Sequence, residues 1–187
     1  MSNGIRVEDY ELRRHDSTDI ELITDTLADV YEAAYADRLD GAFRSRHRFL
    51  ERLDAHRLRE GFELVTGLTS GTVIGFMYGF ALHPHTNWWN GFEGELPAEI
   101  ADLTRQGDVF AVAELATLPA WRRLGVAHNL HNALVAQRIE TVATLLVDPA
   151  NVPALCAYRS WGWERIGYLQ PSPDSPRFES HIRRRQP

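Results

Sequence analysis

The stretch AELATLPAWRRLGVAHNLHNAL, at residues 113–134, constrains the fold of this chain more than any other part of it. The apolar run that leads into it, Val109 to Leu118, has the length and composition of a buried strand. A short loop with Arg122, Arg123 and Gly125 then opens directly into a helical pattern. In such an arrangement the N–H groups of the loop and of the first helical turn converge, and the helix dipole adds positive potential. The stretch therefore predicts a phosphate-binding connection, with an ordinary strand-to-helix turn and solvated arginines as the alternative.

Hydrophobic periodicity predicts the remaining elements, in an order that implies a mixed sheet. The predicted elements are a strand over 5–12, a helix from 17–19 onward, a second helix ending at 61, strands over 62–68 and 73–82, the strand over 109–118, a helix from about 127, a strand over 141–147, a helix after 151 and a strand over 163–169. Strands that first pair as a hairpin and later alternate with helices favour an α/β fold. We expect six to seven strands in a mixed sheet with helices on both faces.

One domain over residues 1–187 is the expected organisation, because a chain of this length can bury a sufficient core without disulfides or structural metal ions. Residues 83–107 are irregular, and we interpret them as an inserted loop with a short helix over 97–103. Residues 170–187 are interpreted as a tail. Its apolar residues, at 178 and 182, could form one more edge strand.

Composition excludes several functional classes. All 20 basic residues are arginine, which removes mechanisms that need a lysine amine, such as a Walker-type phosphate loop or a pyridoxal Schiff base. A net charge of -6 argues against nucleic acid as a partner. No apolar run approaches the roughly 18 residues of a membrane span. Cys156 is the only cysteine and the start MSNGIRVEDY lacks the layout of a signal peptide, so a cytoplasmic location is expected.

A second motif follows the strand over 141–147. In the helix that begins after Asn151, helical spacing places Asn151, Ala154 and Tyr158 on one face. The same spacing turns Val152, Leu155 and Cys156 toward the core, where Cys156 would be a packed, inert thiol. A polar cap, a small residue and a phenol therefore lie together on the face that is predicted to point away from the core.

These two motifs together resemble the GNAT superfamily of acyl-CoA-dependent N-acetyltransferases. The resemblance rests on the R-x-x-G-x-A loop and on the N-x-x-A-x-x-x-Y helix that leads into G-W-E-R-I-G. It covers residues 108–169 by motif and the first hundred residues by order of elements. It implies a sheet with a splayed central strand pair. It also implies transfer of an acetyl group from acetyl-CoA to a primary amine of a small molecule, by direct attack in a ternary complex and without a metal.

The resemblance also implies a set of coenzyme A contacts in the loop, at the end of the strand and at the last helix: Ala116, Thr117, Leu118, Arg122, Arg123, Leu124, Gly125, Val126, Ala127, His128 and Asn151. The loop would hold the pyrophosphate. The main chain of 116–118 would pair with the pantetheine arm and supply an N–H to the thioester oxygen. Asn151 would contact the cofactor or fix the last helix. The family often has glycine where this chain has Ala127.

Two side chains are candidates for proton transfer. Glu114 is the only acidic residue within the apolar strand, and burial would raise its pKa toward a value useful for a general base. Its alternative role is that of a structural carboxylate. Tyr158 would protonate the departing thiolate, because a phenol with a pKa near 10 is still protonated at neutral pH. Its alternative role is that of an aromatic residue at the edge of the core.

The acceptor pocket of the family is built from the first two helices and the strand that bears Glu114. Tyr31 and Tyr35 would line it here, and aromatic residues with carboxylates suit a cationic amine such as a polyamine, an aminoglycoside-like compound or an amino-acid derivative. Trp88 and Trp89 would form a wall of this pocket, or else anchor their loop or a dimer contact.

His83 and His85 lack a third metal ligand at a convincing spacing, so no metal is expected. His128 is expected beside the cofactor and His131 at the surface. The alternatives to a small-molecule acetyltransferase are a non-catalytic acyl-CoA sensor and an aminoacyl-tRNA or protein N-terminal acetyltransferase. The chain is expected to be a monomer or a homodimer.

Overall fold

The structure is a computed structural model that describes residues 10–38, 42–173 and 175–185. Seven strands and five α-helices lie in this part of the chain. In chain order they are β1 (Glu11–His15), α1 (Ile20–Tyr35), α2 (Arg46–Arg57), β2 (Glu63–Thr69), β3 (Thr72–Ala81), α3 (Ala98–Arg105), β4 (Val109–Thr117), α4 (Val126–Val135), β5 (Val142–Val147), α5 (Val152–Ser160), β6 (Glu164–Leu169) and β7 (Phe178–Arg184). Each corresponds to an element predicted from the sequence.

The strands form one mixed sheet in the order β1-β2-β3-β4-β5-β7-β6. β1, β2 and β3 pair antiparallel, and so do β5, β7 and β6. β4 and β5 are parallel, with a register that runs from Val109↔Val142 to Val112↔Leu145, whereas β4 continues to Thr117. The predicted α/β class with a mixed sheet is therefore confirmed, and the short β4/β5 register agrees with a splayed strand pair.

Internal contacts divide the chain into two compact units. The first comprises Met1–Gly79 and Glu114–Gln137, and the second comprises Phe80–Ala113 and Arg138–Pro187. The chain passes between them within β3 and within β4. A single domain over 1–187 stays a prediction.

The first unit contains β1 to β3 and the helices α1, α2 and α4. α1 forms because Ile20, Leu27 and Tyr31 recur at helical spacing, and all three are buried. Tyr31 packs on Phe49 of α2 with ring centroids 4.3 Å apart, which joins the two helices. The turn of the β2–β3 hairpin has positive φ at residues 70 and 71, as a tight hairpin turn requires.

The second unit contains α3, α5 and the strands β5 to β7. Ile100 of α3, Val142 of β5 and Ile182 of β7 form a buried cluster. α3 lies within the segment 83–107 that we interpreted as an inserted loop, close to the predicted short helix. This segment is therefore tied to the core of its unit through α3.

Two strand predictions need correction. The first strand does not end at Leu12, because β1 continues to His15, opposite Leu64 of β2, while residues 5–9 of the predicted strand lie outside the described residues. The tail strand is not an edge strand, because β7 pairs with β5 on one side and with β6 on the other. Strand periodicity predicts that a segment pairs, but it does not say which neighbours it pairs with.

Three side-chain orientations were also predicted wrongly. Val152 and Cys156 are exposed, since α5 buries Leu155 and Tyr158, which are three residues apart. Tyr158 thus lies on the core side of its helix. His131 of α4 is 1% exposed and is not a surface residue. In both short helices, the buried face is shifted by one residue from the face that the sequence predicts, and this shift accounts for the error.

Among the described residues, no helix is both long enough and apolar enough to span a membrane.

Candidate active site

Glu114 lies in the part of β4 that belongs to the first unit. Its Oε1 accepts a hydrogen bond of 2.7 Å from the hydroxyl of Tyr35, at the end of α1. Burial raises the pKa of the Glu114 carboxyl above its ordinary value, while the positive charge of Arg52 and the bond from Tyr35 act in the opposite direction. A carboxylate with a raised pKa and a partner that favours its charged form is suited to accept a proton near neutral pH.

The hydroxyl of Tyr35 is held in place by aromatic packing. Its ring lies 4.7 Å from that of Tyr31, which is itself stacked on Phe49. Burial raises the pKa of Tyr31 to about 12, and the negative charge of Glu114 contributes in the same direction. Tyr31 therefore stays protonated over the physiological range and keeps a hydroxyl that can donate and accept hydrogen bonds.

Arg52 of α2 completes this group, which we call the Glu114 cluster (Glu114, Tyr31, Tyr35 and Arg52). The guanidinium donates to the carbonyl oxygen of Phe43 at 2.8 Å and to the hydroxyl of Tyr31 at 3.3 Å. It also lies 4.6 Å from the centroid of the Phe43 ring. Sequence reasoning missed Arg52. The available signal was its position three residues after the buried Phe49, which puts both on one face of α2.

A second polar pair lies close to the cluster. Tyr78 of β3 is buried, and its hydroxyl is 3.3 Å from Nδ1 of His56 on α2. Burial raises the pKa of Tyr78, and the charge of Glu114 adds to this effect. Burial lowers the pKa of His56 to about 4, so its imidazole is neutral at physiological pH.

The connection after β4 has the geometry that the sequence predicts. The N–H of Leu118 donates to the carbonyl of Ile74 at 2.9 Å, and a turn of 3-10 helix then covers Pro119–Trp121. Gly125, with φ of 83°, precedes α4, and no side chain caps this helix. The first helical bond runs from the N–H of Asn129 to the carbonyl of Gly125. The N–H groups of the first turn thus have no acceptor within the helix.

The arginines of this loop differ in their settings. Arg122 is exposed and donates to the carbonyl oxygen of Ala34 at the end of α1. Arg123 is exposed and has φ of 62°, a left-handed conformation that is uncommon outside glycine. Left-handed residues next to helical ones turn successive N–H groups toward one side, which forms an anion-binding concavity.

Three observations indicate that coenzyme A fits the first unit. Nothing lies within 4 Å of the position that a Cβ on Gly125 would take, so the main chain can be approached closely there. The first turn of α4 offers N–H donors to a phosphate. Among the described residues, the hydroxyl of Thr117 is buried without a hydrogen-bond partner. Ala127, which replaces the usual glycine, is partly buried in the same turn.

The other predicted residues of the cofactor and the reaction lie in the second unit. Oδ1 of Asn151 accepts from the N–H of Ala154 at 3.4 Å, so Asn151 caps α5. Of its two predicted roles, this geometry supports the one of fixing the helix. Tyr158 is 8% exposed, and its ring meets Trp161 and Trp163 edge-on, with centroids 5.5 and 5.9 Å away. Its role as the acid stays a prediction.

Trp88 and Trp89 also belong to the second unit. Nε1 of Trp89 donates to Oγ1 of Thr104 at 3.0 Å, and the ring packs against the cluster around Ile100. This packing favours the interpretation that Trp89 anchors its loop. Trp88 meets Phe80 edge-on at 6.1 Å, and its Nε1 is buried without a partner among the described residues.

No group of three or more possible metal ligands occurs among residues 10–38, 42–173 and 175–185.

A mixed sheet with a carboxylate on one strand and an uncapped helix start just after it agrees with an acyl-CoA-dependent transferase, and comparison with known families shows which family this is. The model of the "Acetyltransferase (GNAT) family" matches residues 23–163. The chain belongs to this family and is an acyltransferase. No curated protein matches the chain by sequence.

Solved structures of GNAT proteins share the fold. Ard1 from Thermoplasma volcanium is 18% identical with a TM-score of 0.61, and the match covers 96% of this chain and 99% of that one. PaiA N-acetyltransferase from Thermoplasma acidophilum, solved in complex with coenzyme A, is 13% identical with a TM-score of 0.56 and coverages of 94% and 98%. The ribosomal-protein-S18-alanine N-acetyltransferase from Escherichia coli is 15% identical with a TM-score of 0.59 and coverages of 94% and 93%. At these identities the likeness concerns the fold.

Proposed function

We propose that this protein transfers the acetyl group of acetyl-CoA to a primary amine of a small molecule, by direct attack within a ternary complex. The observation that carries the proposal is the Glu114 carboxylate, whose pKa is raised by burial and which accepts a hydrogen bond from Tyr35. A buried carboxylate of this kind is the group that amine deprotonation needs.

The loop residues Arg122 to Ala127 would hold the pyrophosphate of the coenzyme through main-chain N–H groups. When bound, acetyl-CoA supplies a thioester as the acyl donor. The N–H of Leu118 is bonded to β3. Because N–H groups alternate in direction along a strand, that of Thr117 points away from β3 and is the candidate donor to the thioester oxygen.

The protein side chains would handle two protons. Glu114 takes one proton from the attacking amine, directly or through a water, as the C–N bond forms and the C–S bond breaks. Tyr158 returns one proton to the sulfur, which leaves as a thiol. The proton that Glu114 takes and the proton that Tyr158 gives thus balance the reaction. The role proposed for Tyr158 is based on its position in the N-x-x-A-x-x-x-Y motif.

The test combines acetyl-CoA binding by calorimetry with an amine panel read out by release of thiol. Glu114→Gln should keep the affinity for acetyl-CoA within a few fold and lower kcat by about 10²- to 10⁴-fold. Glu32→Gln is the matched control, because Glu32 also lies in the first unit but pairs with Arg46. Tyr158→Phe should lower kcat and leave acetyl-CoA affinity nearly intact.

Several outcomes would contradict the proposal. Failure of the wild-type protein to bind acetyl-CoA would exclude acetyl transfer. Slow thioester hydrolysis with no accepted amine would indicate an acyl-CoA sensor, and activity limited to peptide N-termini would replace the small-molecule acceptor. Equal loss of kcat and of affinity in Tyr158→Phe would refute the role of Tyr158 as the acid.

A further inference from the structure

Arg52 differs from the other arginines of α2 in its partners. Arg46 pairs with Asp25, Asp29 and Glu32 of α1, each within 3.1 Å.

Arg48 and Arg57, the other two arginines of this helix, also pair with carboxylates. Arg48 pairs with Glu51 at 3.0 Å, and Arg57 pairs with Asp54 and Glu21 at 2.7 and 3.2 Å. No carboxylate of the described residues pairs with Arg52, although it is more enclosed than Arg48. A partly buried cation without a counter-ion is unfavourable unless something else neutralises it.

The guanidinium of Arg52 has more N–H groups than it uses in its hydrogen bonds. Its hydrogen bonds go to Phe43 and Tyr31 and use one N–H on each terminal nitrogen. Arginine has five N–H donors in a planar fork, which matches the two oxygens of a carboxylate. The Phe43 ring on one face fixes the plane of this fork. The remaining donors are thus oriented before any ligand arrives.

Within the Glu114 cluster, the Arg52 guanidinium and the Glu114 carboxylate do not form an ion pair. Arg52 bonds to Tyr31, the Tyr31 ring packs on Tyr35, and Tyr35 bonds to Glu114. Two tyrosine side chains therefore connect the guanidinium to the carboxylate through successive contacts. The two charges are near enough for Arg52 to influence Glu114 electrostatically, yet they do not pair. A ligand complementary to this array carries a cationic amine and, a few bonds away, an anion.

We infer that the acceptor is an amino acid or a close analogue, whose amine faces Glu114 and whose carboxylate is bound by Arg52. This inference rests on the proposed acetyl transfer and narrows the acceptor within it. Arg52 contributes a charge-assisted, bidentate contact to the acceptor, so it determines specificity. Polyamines and simple alkylamines lack the anion and leave the guanidinium without a counter-ion. A peptide N-terminus lacks it as well, because its nearest carboxyl group is an amide.

The experiment compares matched acceptors in the full-length protein. Each pair consists of an amino acid and the amine that its decarboxylation yields, for example phenylalanine with phenethylamine and alanine with ethylamine. We expect kcat/KM to favour the amino acid by at least about tenfold, because a site built to bond a polar group rejects the analogue that lacks it. Arg52→Gln should reduce this ratio to near one through a higher KM for the amino acid, and Arg52→Lys should restore part of it.

Arg48→Gln is the matched control on the same helix and should leave the ratio unchanged. A structural role of Arg52 would lower kcat/KM equally for both members of each pair, which would overturn the inference. If the Arg52 variants do not fold, inhibition of the wild-type protein decides the matter. Phenylpropionate, which has the carboxylate but no amine, should compete with phenylalanine more strongly than phenylpropanol does, and equal inhibition would overturn the inference.

The outcomes separate this inference from the proposed function. Acetylation of amines without any preference for a carboxylate overturns the inference alone. Binding of acetyl-CoA with no acetylation of any amine overturns both.

Discussion

The hydrogen bond from Tyr35 to Glu114 tunes the proposed base, and its removal has a calculable effect. Tyr35→Phe deletes the hydroxyl and keeps the ring that packs on Tyr31. The bond is 2.7 Å long and is stronger when Glu114 is ionised. A hydrogen bond to a charged group contributes about 1.5–3 kcal/mol, and each 1.36 kcal/mol is a factor of ten. Below the pKa of Glu114, the ionised fraction should therefore fall about tenfold or more in the variant.

The assay is the dependence of kcat on pH between about pH 5 and about pH 9. Loss of the bond raises the pKa of Glu114 further, so the acidic limb of the profile should move to higher pH while the alkaline plateau stays within a few fold. Tyr31→Phe is the control, because the Tyr31 hydroxyl bonds to Arg52 and its loss should move the limb much less. A Tyr35→Phe profile with a lower plateau and an unmoved acidic limb would refute Glu114 as the titrating base.

Two further predictions concern stability. Burial lowers the pKa of His56 from its ordinary value of 6.5 to about 4 in the folded protein. The unfolded chain therefore binds more protons between these two values, and stability is lost as the pH is lowered through that window. Urea unfolding should show a loss of roughly 1–2 kcal/mol between about pH 7 and about pH 5 from this group, and His56→Gln, which can still bond to Tyr78, should lack it; an unchanged slope would contradict the assignment. Gly91→Ala would place a Cβ 2.0 Å from the carbonyl oxygen of Gln170, whereas Gly94→Ala meets nothing within 4 Å. Both positions have positive φ, so Gly94→Ala should lower the free energy of unfolding by about 1–2 kcal/mol and Gly91→Ala by clearly more. Equal decreases in melting temperature would contradict this, because they would mean that the loop around Gly91 accommodates the Cβ without strain.

Most of the fold could be predicted because its signals are local. The apolar run of β4, the helical spacing of Ile20, Leu27 and Tyr31, and the Gly125 that starts α4 each depend on residues near in sequence. Glu114 could be selected as a candidate for the same reason, since a lone carboxylate within an apolar strand is a local signal, and its role as the base stays a prediction. Partners across the sheet are not encoded locally, and so the interior position of β7 could not be predicted.

The part of the site that escaped prediction is likewise non-local. In sequence, Arg52 is one of several arginines on α2, and its position three residues after Phe49 indicates its face of the helix but not its partners. Only the packing of α2 against α1 shows that Arg46 meets three carboxylates there while Arg52 meets tyrosine. The orientation of α5 was predicted wrongly for a different reason, because a helix of nine residues has too few apolar positions to define its buried face.

The interior position of β7 has a consequence for synthesis of the protein. β7 is the last strand of the described residues, yet β5 and β6 each pair with it. Until Arg184 has left the ribosome, both strands present unpaired N–H and C=O groups, which are templates for pairing with another chain. The second unit can therefore complete its sheet only after β7 has been synthesised. Its nascent form should depend on chaperones more than the first unit, whose β1–β3 sheet is complete by Ala81.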